Sequence, residues 1–205
     1  MKYTKYYLLS LGVIILDQIV KLVVYNTMNL HQEIPVLGDW FKLHYTTNPG
    51  MAFGLEIGGV YGKLFLTSFR LLAMVGIAYY LYHLAKKGAK PGLLWCIALI
   101  LAGAIGNLVD SIFYGVTLGL EAPNAPTPWF HGQVIDMFYF DIWEGFLPHW
   151  IPIIGGQYYS LWPIFNIADA SIFIGVAIIL IMQKRYFSEG KPAQNNNTNQ
   201  EKLTE

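Results

Sequence analysis

Charged side chains are scarce in this sequence. They make up 13% of its 205 residues, whereas 55% are hydrophobic, and a soluble domain usually carries about 25% charged residues. This deficit, spread over long apolar runs, indicates a protein that folds in a lipid bilayer. The formal net charge is zero, so no overall basic field would attract nucleic acid, and we expect no nucleic-acid partner.

Cysteine is nearly absent as well. The single cysteine, Cys96, lies within an apolar run, so it can form no intrachain disulfide, and we expect its side chain to be buried. The five histidines are scattered and form no H-E-x-x-H motif, so we expect no metal and no cofactor. The chain also lacks the G-x-S-x-G motif of many serine hydrolases.

Four apolar stretches are long enough to cross a bilayer as helices, which takes about 20 residues each. These stretches are about 6–25, 61–84, 93–113 and 163–182. The sequence therefore predicts an all-α membrane protein in which one domain, residues 1–187, contains four transmembrane helices. Residues 188–205 are polar and rich in asparagine, and we expect a disordered cytoplasmic tail there.

Basic residues mark one side of this topology. Lysines precede the first helix and follow the second, and Lys184 and Arg185 follow the fourth. Because cytoplasmic loops are enriched in lysine and arginine, we expect both termini to be cytoplasmic. The two long loops, at about residues 26–60 and 114–162, then face outward.

The two outer loops differ in composition. In the first, residues 40–47 are rich in β-branched and aromatic side chains and are followed by the turn signal Asn48-Pro49-Gly50. We expect a small outward-facing β subdomain there. The second loop is rich in proline and in aromatic rings, which favour the headgroup region, so we expect it to lie along the membrane interface.

Ionisable residues inside the predicted spans are functional candidates, because each costs at least about 2.5–3.5 kcal/mol in lipid. Counting along the helices places Asp17, Asp110 and Asp169 near one outer level, and Asp136 lies in the second outer loop. Lys21 follows Asp17 by four residues, so the two side chains can pair within one helix.

Two asparagines share helix faces with these aspartates. Asn107 and Asn166 each precede an aspartate by three residues. Two carboxylates at one level suit an aspartyl peptidase, in which the pair shares one proton. Pairing that only supports folding, and a proton-coupled transporter, remain open alternatives, because periodicity alone does not separate them from an enzyme.

Five short motifs stand in order along most of the chain. They are D-Q with a lysine at 17–21, N-P-G-M-A-F-G at 48–54, A-G-A-I-G-N-L-V-D at 102–110, V-I-D at 134–136 and F-N-I-A-D at 165–169. Each is weak alone, but in this order on four helices they closely resemble the motifs of the lipoprotein signal peptidases, or type II signal peptidases.

The resemblance implies an aspartic endopeptidase of the bacterial inner membrane, with Asp136 and Asp169 as the catalytic dyad near the outer leaflet. The substrate would be a prolipoprotein whose cysteine already carries a diacylglyceryl group. A water activated between the two aspartates would cut just before that cysteine and release the signal peptide. We expect the enzyme to be a monomer surrounded by membrane lipids.

The resemblance also implies residues that bind the substrate or support the dyad. They are Asp17, Lys21, Asn48, Gly50, Asn107, Asp110 and Asn166.

The chain departs from the family pattern after Asp110, where Ser111 replaces the usual arginine. Arg70 lies about nine residues, or roughly 14 Å, inside the second predicted span. An arginine at that depth should face the other helices. We expect Arg70 to supply the cation that Ser111 lacks, with a role that only ties the second helix to its neighbours as the alternative.

Overall fold

Three long apolar helices form the body of the protein. The computed structural model describes residues 3–49, 59–152 and 155–187. Within these residues, three helices are long and apolar enough to cross a membrane: α1 (Thr4–Thr27), α2 (Gly59–Lys86) and α3 (Pro91–Leu118). The tail that we predicted to be disordered, 188–205, lies outside the described residues.

The fourth predicted span contains a shorter helix. α4 covers Ile167–Ile181, and α5 (Gln183–Phe187) follows it. α4 begins later than residue 163 because Phe165 instead pairs with a strand and Asn166 caps the helix. With 15 residues, α4 is shorter than the length of about 20 residues that spans a bilayer upright, so a fourth crossing is a proposal and not a finding.

A three-stranded antiparallel sheet lies at the end of the bundle where α1 and α3 end and α4 begins, which we call the sheet end. Its strands are β1 (Glu33–Leu37), β2 (Phe41–Asn48) and β3 (Val134–Phe140), in that order. The first loop thus forms the small sheet that its composition predicted.

The third strand corrects our expectation for the second loop. We expected that loop to lie along the membrane interface, but β3 belongs to it and is almost wholly buried. Its apolar side chains Ile135 and Met137 pack with Val24 at the end of α1 and with Tyr114 of α3. Burial against the helix ends therefore overrides the interfacial preference of the aromatic residues in this segment.

The remainder of the second loop exposes aromatic side chains. A short hairpin pairs β4 (Glu144–Phe146) with β5 (Tyr158–Ser160). Trp143, Trp150 and other large apolar side chains around it are exposed. Trp162 then contacts Phe173, on the exposed side of α4, with the ring centroids 6.2 Å apart.

α3 is the central helix and packs against α1, α2 and α4. Two glycines let its neighbours approach. A Cβ on Gly103 would lie 2.1 Å from the carbonyl oxygen of Ala168, and one on Gly106 would lie 2.8 Å from Oδ2 of Asp17. Small residues at such positions are what allows helices to pack closely in lipid, where no hydrophobic effect drives them together.

Gly103→Ala should lower the free energy of unfolding by about 1–3 kcal/mol, which is the usual cost of overpacking. The added methyl group overlaps the carbonyl of Ala168 and forces α3 and α4 apart. Thermal unfolding of the purified variant in detergent measures the effect.

Gly76→Ala is the matched control, because a Cβ at Gly76 of α2 meets no atom within 4 Å. This variant should be neutral or up to about 1 kcal/mol more stable, since alanine favours helix over glycine. Equal melting temperatures for the two variants would contradict the close contact between α3 and α4.

Candidate active site

Four aspartates from four different elements are joined by hydrogen bonds at the sheet end. They are Asp17 of α1, Asp110 of α3, Asp136 of β3 and Asp169 of α4. Lys21, Asn107 and Asn166 make the contacts that join them.

Lys21 joins α1 to α3. Its Nζ lies 2.8 Å from Oδ2 of Asp17 and 2.6 Å from Oδ2 of Asp110, and all three side chains are buried. The same Nζ donates to Oδ1 of Asn107 at 3.0 Å, so the buried ammonium contacts two carboxylates and one amide oxygen. Removing one partner of a buried ion pair typically costs about 3–5 kcal/mol, so this cluster fixes the relative position of the two helices.

Asp17 also holds the start of α4. Its Oδ1 accepts a hydrogen bond from the backbone N–H of Ala168 at 2.9 Å, where a negative charge interacts favourably with the helix N-terminus. Gln18 donates to Oδ1 of Asp110 at 2.8 Å and accepts a hydrogen bond from the Tyr114 hydroxyl at 3.0 Å. The motif that begins with Asp17 and Gln18 on α1 therefore contacts both α3 and α4 and fixes the three helices relative to one another.

Asn107 connects the lysine to Asp169. Its Oδ1 accepts from Lys21 at 3.0 Å and from Nδ2 of Asn166 at 3.1 Å. Because a lysine ammonium only donates, this oxygen must face Lys21, and the Nδ2 of Asn107 must face the other way. That Nδ2 donates to Oδ1 of Asp169 at 2.7 Å, which fixes the orientation of this carboxylate.

Asp136 lies on β3 with its carboxyl group buried. Nδ2 of Asn166 donates to its Oδ1 at 2.6 Å, and Nδ2 of Asn48, at the end of β2, donates to its Oδ2 at 3.3 Å. Burial, followed by the like charge of Asp169, raises the pKa of Asp136 to about 8, although Lys21 and the two amides oppose this shift. The carboxyl group of Asp136 is therefore mostly protonated at neutral pH.

Asn166 contacts both carboxyl groups. Its side chain donates to Asp136 at 2.6 Å, and its backbone N–H donates to Oδ2 of Asp169 at 3.3 Å. In return, the backbone N–H of Asp169 donates to Oδ1 of Asn166 at 2.9 Å, which completes a capping box at the start of α4. Two carboxyl groups around one residue, one of them protonated, can give and take a proton in turn.

Gly50 and Arg70 also belong to the site that the sequence predicts. Gly50 lies outside the described residues. Arg70, on α2, interacts electrostatically with Asp169, and its replacement of the family arginine stays a prediction. The side chain in contact with Ser111 is a different one, Lys63, whose Nζ lies 3.3 Å from the serine Oγ.

Sequence reasoning missed Lys63, although a signal was present. Lys63, Thr67 and Arg70 recur at helical spacing on one face of an otherwise apolar helix. Thr67 is buried and donates to the carbonyl oxygen of Phe130 at 2.9 Å. A polar face of this kind predicts contact with the rest of the bundle and not with lipid.

Comparisons with known proteins give the family. The sequence model of the family described as signal peptidase (SPase) II matches residues 9–184. A lipoprotein signal peptidase of Amoebophilus asiaticus is 47% identical over 183 residues, which cover 88% of this chain and 78% of that protein. The lipoprotein signal peptidase of Porphyromonas gingivalis is 43% identical over 186 residues, which cover 85% of this chain and 80% of the relative.

Solved structures agree with the fold. Two bacterial membrane enzyme structures, obtained by the in meso method, are 25% identical to this chain with TM-scores of 0.59 and 0.60. The first comparison covers 88% of this chain and 92% of the solved chain. Family membership also decides against the transporter alternative. The chain belongs to the signal peptidase II family, the lipoprotein signal peptidases, which are bacterial membrane proteases that remove signal peptides from prolipoproteins.

Proposed function

We propose that this protein is an aspartic endopeptidase that cuts diacylglyceryl-modified prolipoproteins just before the lipidated cysteine. The family supports the substrate class. The observation that carries the aspartic mechanism is the double contact of Asn166 with Asp136 and Asp169. This contact brings a strand carboxyl group and a helix carboxyl group to one site.

Asp169 is the base in this mechanism and Asp136 the acid. Ionised Asp169 takes a proton from a water molecule, whose oxygen attacks the scissile carbonyl carbon. Protonated Asp136 gives its proton to the carbonyl oxygen, and a gem-diol forms. When the diol collapses, one hydroxyl proton returns to Asp136, the proton on Asp169 passes to the leaving nitrogen, and the C–N bond breaks.

The supporting residues have distinct roles in this proposal. Asn107 orients Asp169, and Lys21 holds Asn107 while pairing with Asp17 and Asp110. Asn48 holds Asp136 from the end of β2. We assign Gly50, two residues farther along the chain, to binding the backbone of the substrate.

The membrane arrangement is part of the proposal. The protein is a monomer of the bacterial inner membrane that crosses it four times, with both termini in the cytoplasm and the sheet end at the outer leaflet. The exposed aromatic side chains of the β4–β5 hairpin support this placement, because amphipathic rings favour the headgroup region. The contact of Trp162 with Phe173 ties the hairpin to the exposed face of α4.

Asp136→Asn and Asp169→Asn should each lower the rate of cleavage by about 10²–10⁴-fold, the usual contribution of a general acid or base. An amide cannot share the proton. Cleavage of a synthetic lipopeptide that carries a diacylglyceryl cysteine measures the effect, and melting temperatures in detergent show that the variants are folded.

Asp141→Asn is the matched control. Asp141 directly follows β3 and pairs with Lys42 at 2.7 Å, away from the dyad. This variant should cleave like the parent protein. Robust turnover by either dyad variant would overturn the catalytic assignment.

Activity should fall as the pH rises above about 8. The pKa of Asp136 is raised to about 8, so its acidic form is present below that pH and is lost above it. We expect a decline of about tenfold per pH unit on the alkaline side. The rate of lipopeptide cleavage from about pH 6 to about pH 10 tests this, with melting temperatures in the same buffers as the control for unfolding. A rate that stays level up to about pH 10 contradicts the acid role of Asp136.

Cysteine labelling tests the orientation. Asp39, in the turn between β1 and β2, and Lys87, between α2 and α3, are both exposed. In a Cys96→Ser background, Asp39→Cys should react with a membrane-impermeant thiol reagent in spheroplasts, whereas Lys87→Cys should react only after permeabilisation. Equal labelling of the two variants would contradict the orientation.

A further inference from the structure

Lys63 is a buried lysine that the proposed mechanism does not use. It lies in the first part of α2, near the sheet end, and is 4% exposed. A lysine is almost never fully buried unless it is paired. The partners of its Nζ atom therefore indicate the role of this lysine.

The ammonium group of Lys63 joins a loop to a helix. Nζ donates to the carbonyl oxygen of Pro49 at 2.5 Å and to Oγ of Ser111 at 3.3 Å. Ser111, on α3, is fully buried and directly follows Asp110. The carboxylate of Asp110 attracts the lysine, whereas the guanidinium of Arg70 repels it.

The loop that Lys63 holds leads directly to the proposed dyad. Pro49 directly follows Asn48, whose side chain donates to Oδ2 of Asp136. β2 ends at Asn48, where its ladder with β3 also ends. The sheet therefore holds the chain on one side of this point, and the contact with Lys63 holds it on the other.

We propose that Lys63 is a positioning residue that fixes the Asn48-Pro49 segment against α3 and thereby keeps the amide of Asn48 on Asp136. The proposal rests on the proposed function, since Asp136 is its catalytic acid. It assigns to Lys63 the role next to Ser111 that we expected of Arg70. Arg70 keeps its separate interaction with Asp169.

The charge of Lys63 should matter more than its bulk. Lys63→Met retains a long apolar side chain but removes the ammonium, which leaves the carbonyl of Pro49 without this donor. The value of kcat/KM for a lipopeptide with a diacylglyceryl cysteine should fall about 10- to 100-fold, as expected when a buried charge-assisted hydrogen bond is lost. Lys42→Met, in which an outer lysine loses its pairing with Asp141, is the matched control and should cleave like the parent protein.

Restoring the cation from another helix tests the role of the charge directly. Ser111→Arg in the Lys63→Met protein places a guanidinium next to the site that the ammonium occupied, within reach of Pro49. This double variant should recover at least about tenfold of the lost kcat/KM, since the hydrogen bond returns. If the side chain of Lys63 mattered only for packing in α2, an arginine on α3 would restore nothing.

A double-mutant cycle tests whether Lys63 acts through Asn48. Removing both side chains, with Lys63→Met and Asn48→Ala, should cost little more than Asn48→Ala alone, because residues that share one interaction are not additive.

The outcomes are distinct. Normal cleavage by Lys63→Met, no recovery with Ser111→Arg, or full additivity with Asn48→Ala would each overturn the proposal. If Lys63→Met does not fold, the double variant with Ser111→Arg decides: a folded, active protein supports the proposal, and an inactive one overturns it. If the parent protein and Lys42→Met also fail to cleave the lipopeptide, the proposed function fails instead.

Discussion

The buried ammonium group of Lys21 is the interaction on which the site depends. It forms ion pairs with Asp17 and Asp110 and donates a hydrogen bond to Asn107. Asp17 in turn caps the first turn of α4, and Asn107 orients Asp169. A single lysine on α1 therefore sets the position of α3, the start of α4 and the direction of one carboxylate of the proposed dyad. In lipid, where no hydrophobic effect drives helices together, such a polar cluster also specifies which helices meet.

The charges at the sheet end indicate that a carboxyl group among the four aspartates is protonated. Among the described residues, the four aspartates at the sheet end face three basic side chains, Lys21, Lys63 and Arg70. Uncompensated charge is expensive in a membrane protein, and these side chains supply at most three positive charges, so the cluster is neutral only when at least one carboxyl group is protonated. Asp136 is the carboxyl group with the pKa near 8. In the proposed mechanism, Asp169, which accepts from Asn107 and from the backbone of Asn166, is the ionised partner.

The sequence predicted the parts of the structure that depend on local signals. Long apolar runs predicted α1, α2 and α3 to within about five residues at either end. The resemblance to the family's motifs, and not spacing alone, pointed to the side chains that Asn107 and Asn166 connect. The pairing of β3 with β2 was missed, because it joins two loops that are far apart in sequence and the aromatic residues of the segment resemble an interfacial loop. For the same reason, α4 begins later than predicted, because Phe165 forms an antiparallel bridge with Phe138, which is distant in sequence. Lys63 was missed because its acceptors, Pro49 and Ser111, come together only in the folded protein.

The asparagine at the start of α4 shows how the fold and the proposed chemistry use the same residue. Serine, threonine, aspartate and asparagine all cap helices well, because each offers a side-chain oxygen to a free backbone N–H. Asn166 uses its oxygen in this way, on the N–H of Asp169, and its Nδ2 is left to donate to Asp136. Serine or threonine would cap the helix with only one hydroxyl hydrogen to donate, and aspartate would add a fifth carboxyl group that, when ionised, has no hydrogen to donate. Of these four residues, only asparagine can accept the capping hydrogen bond and still donate to both Asn107 and Asp136. The position is therefore constrained by helix capping and by the proposed dyad together.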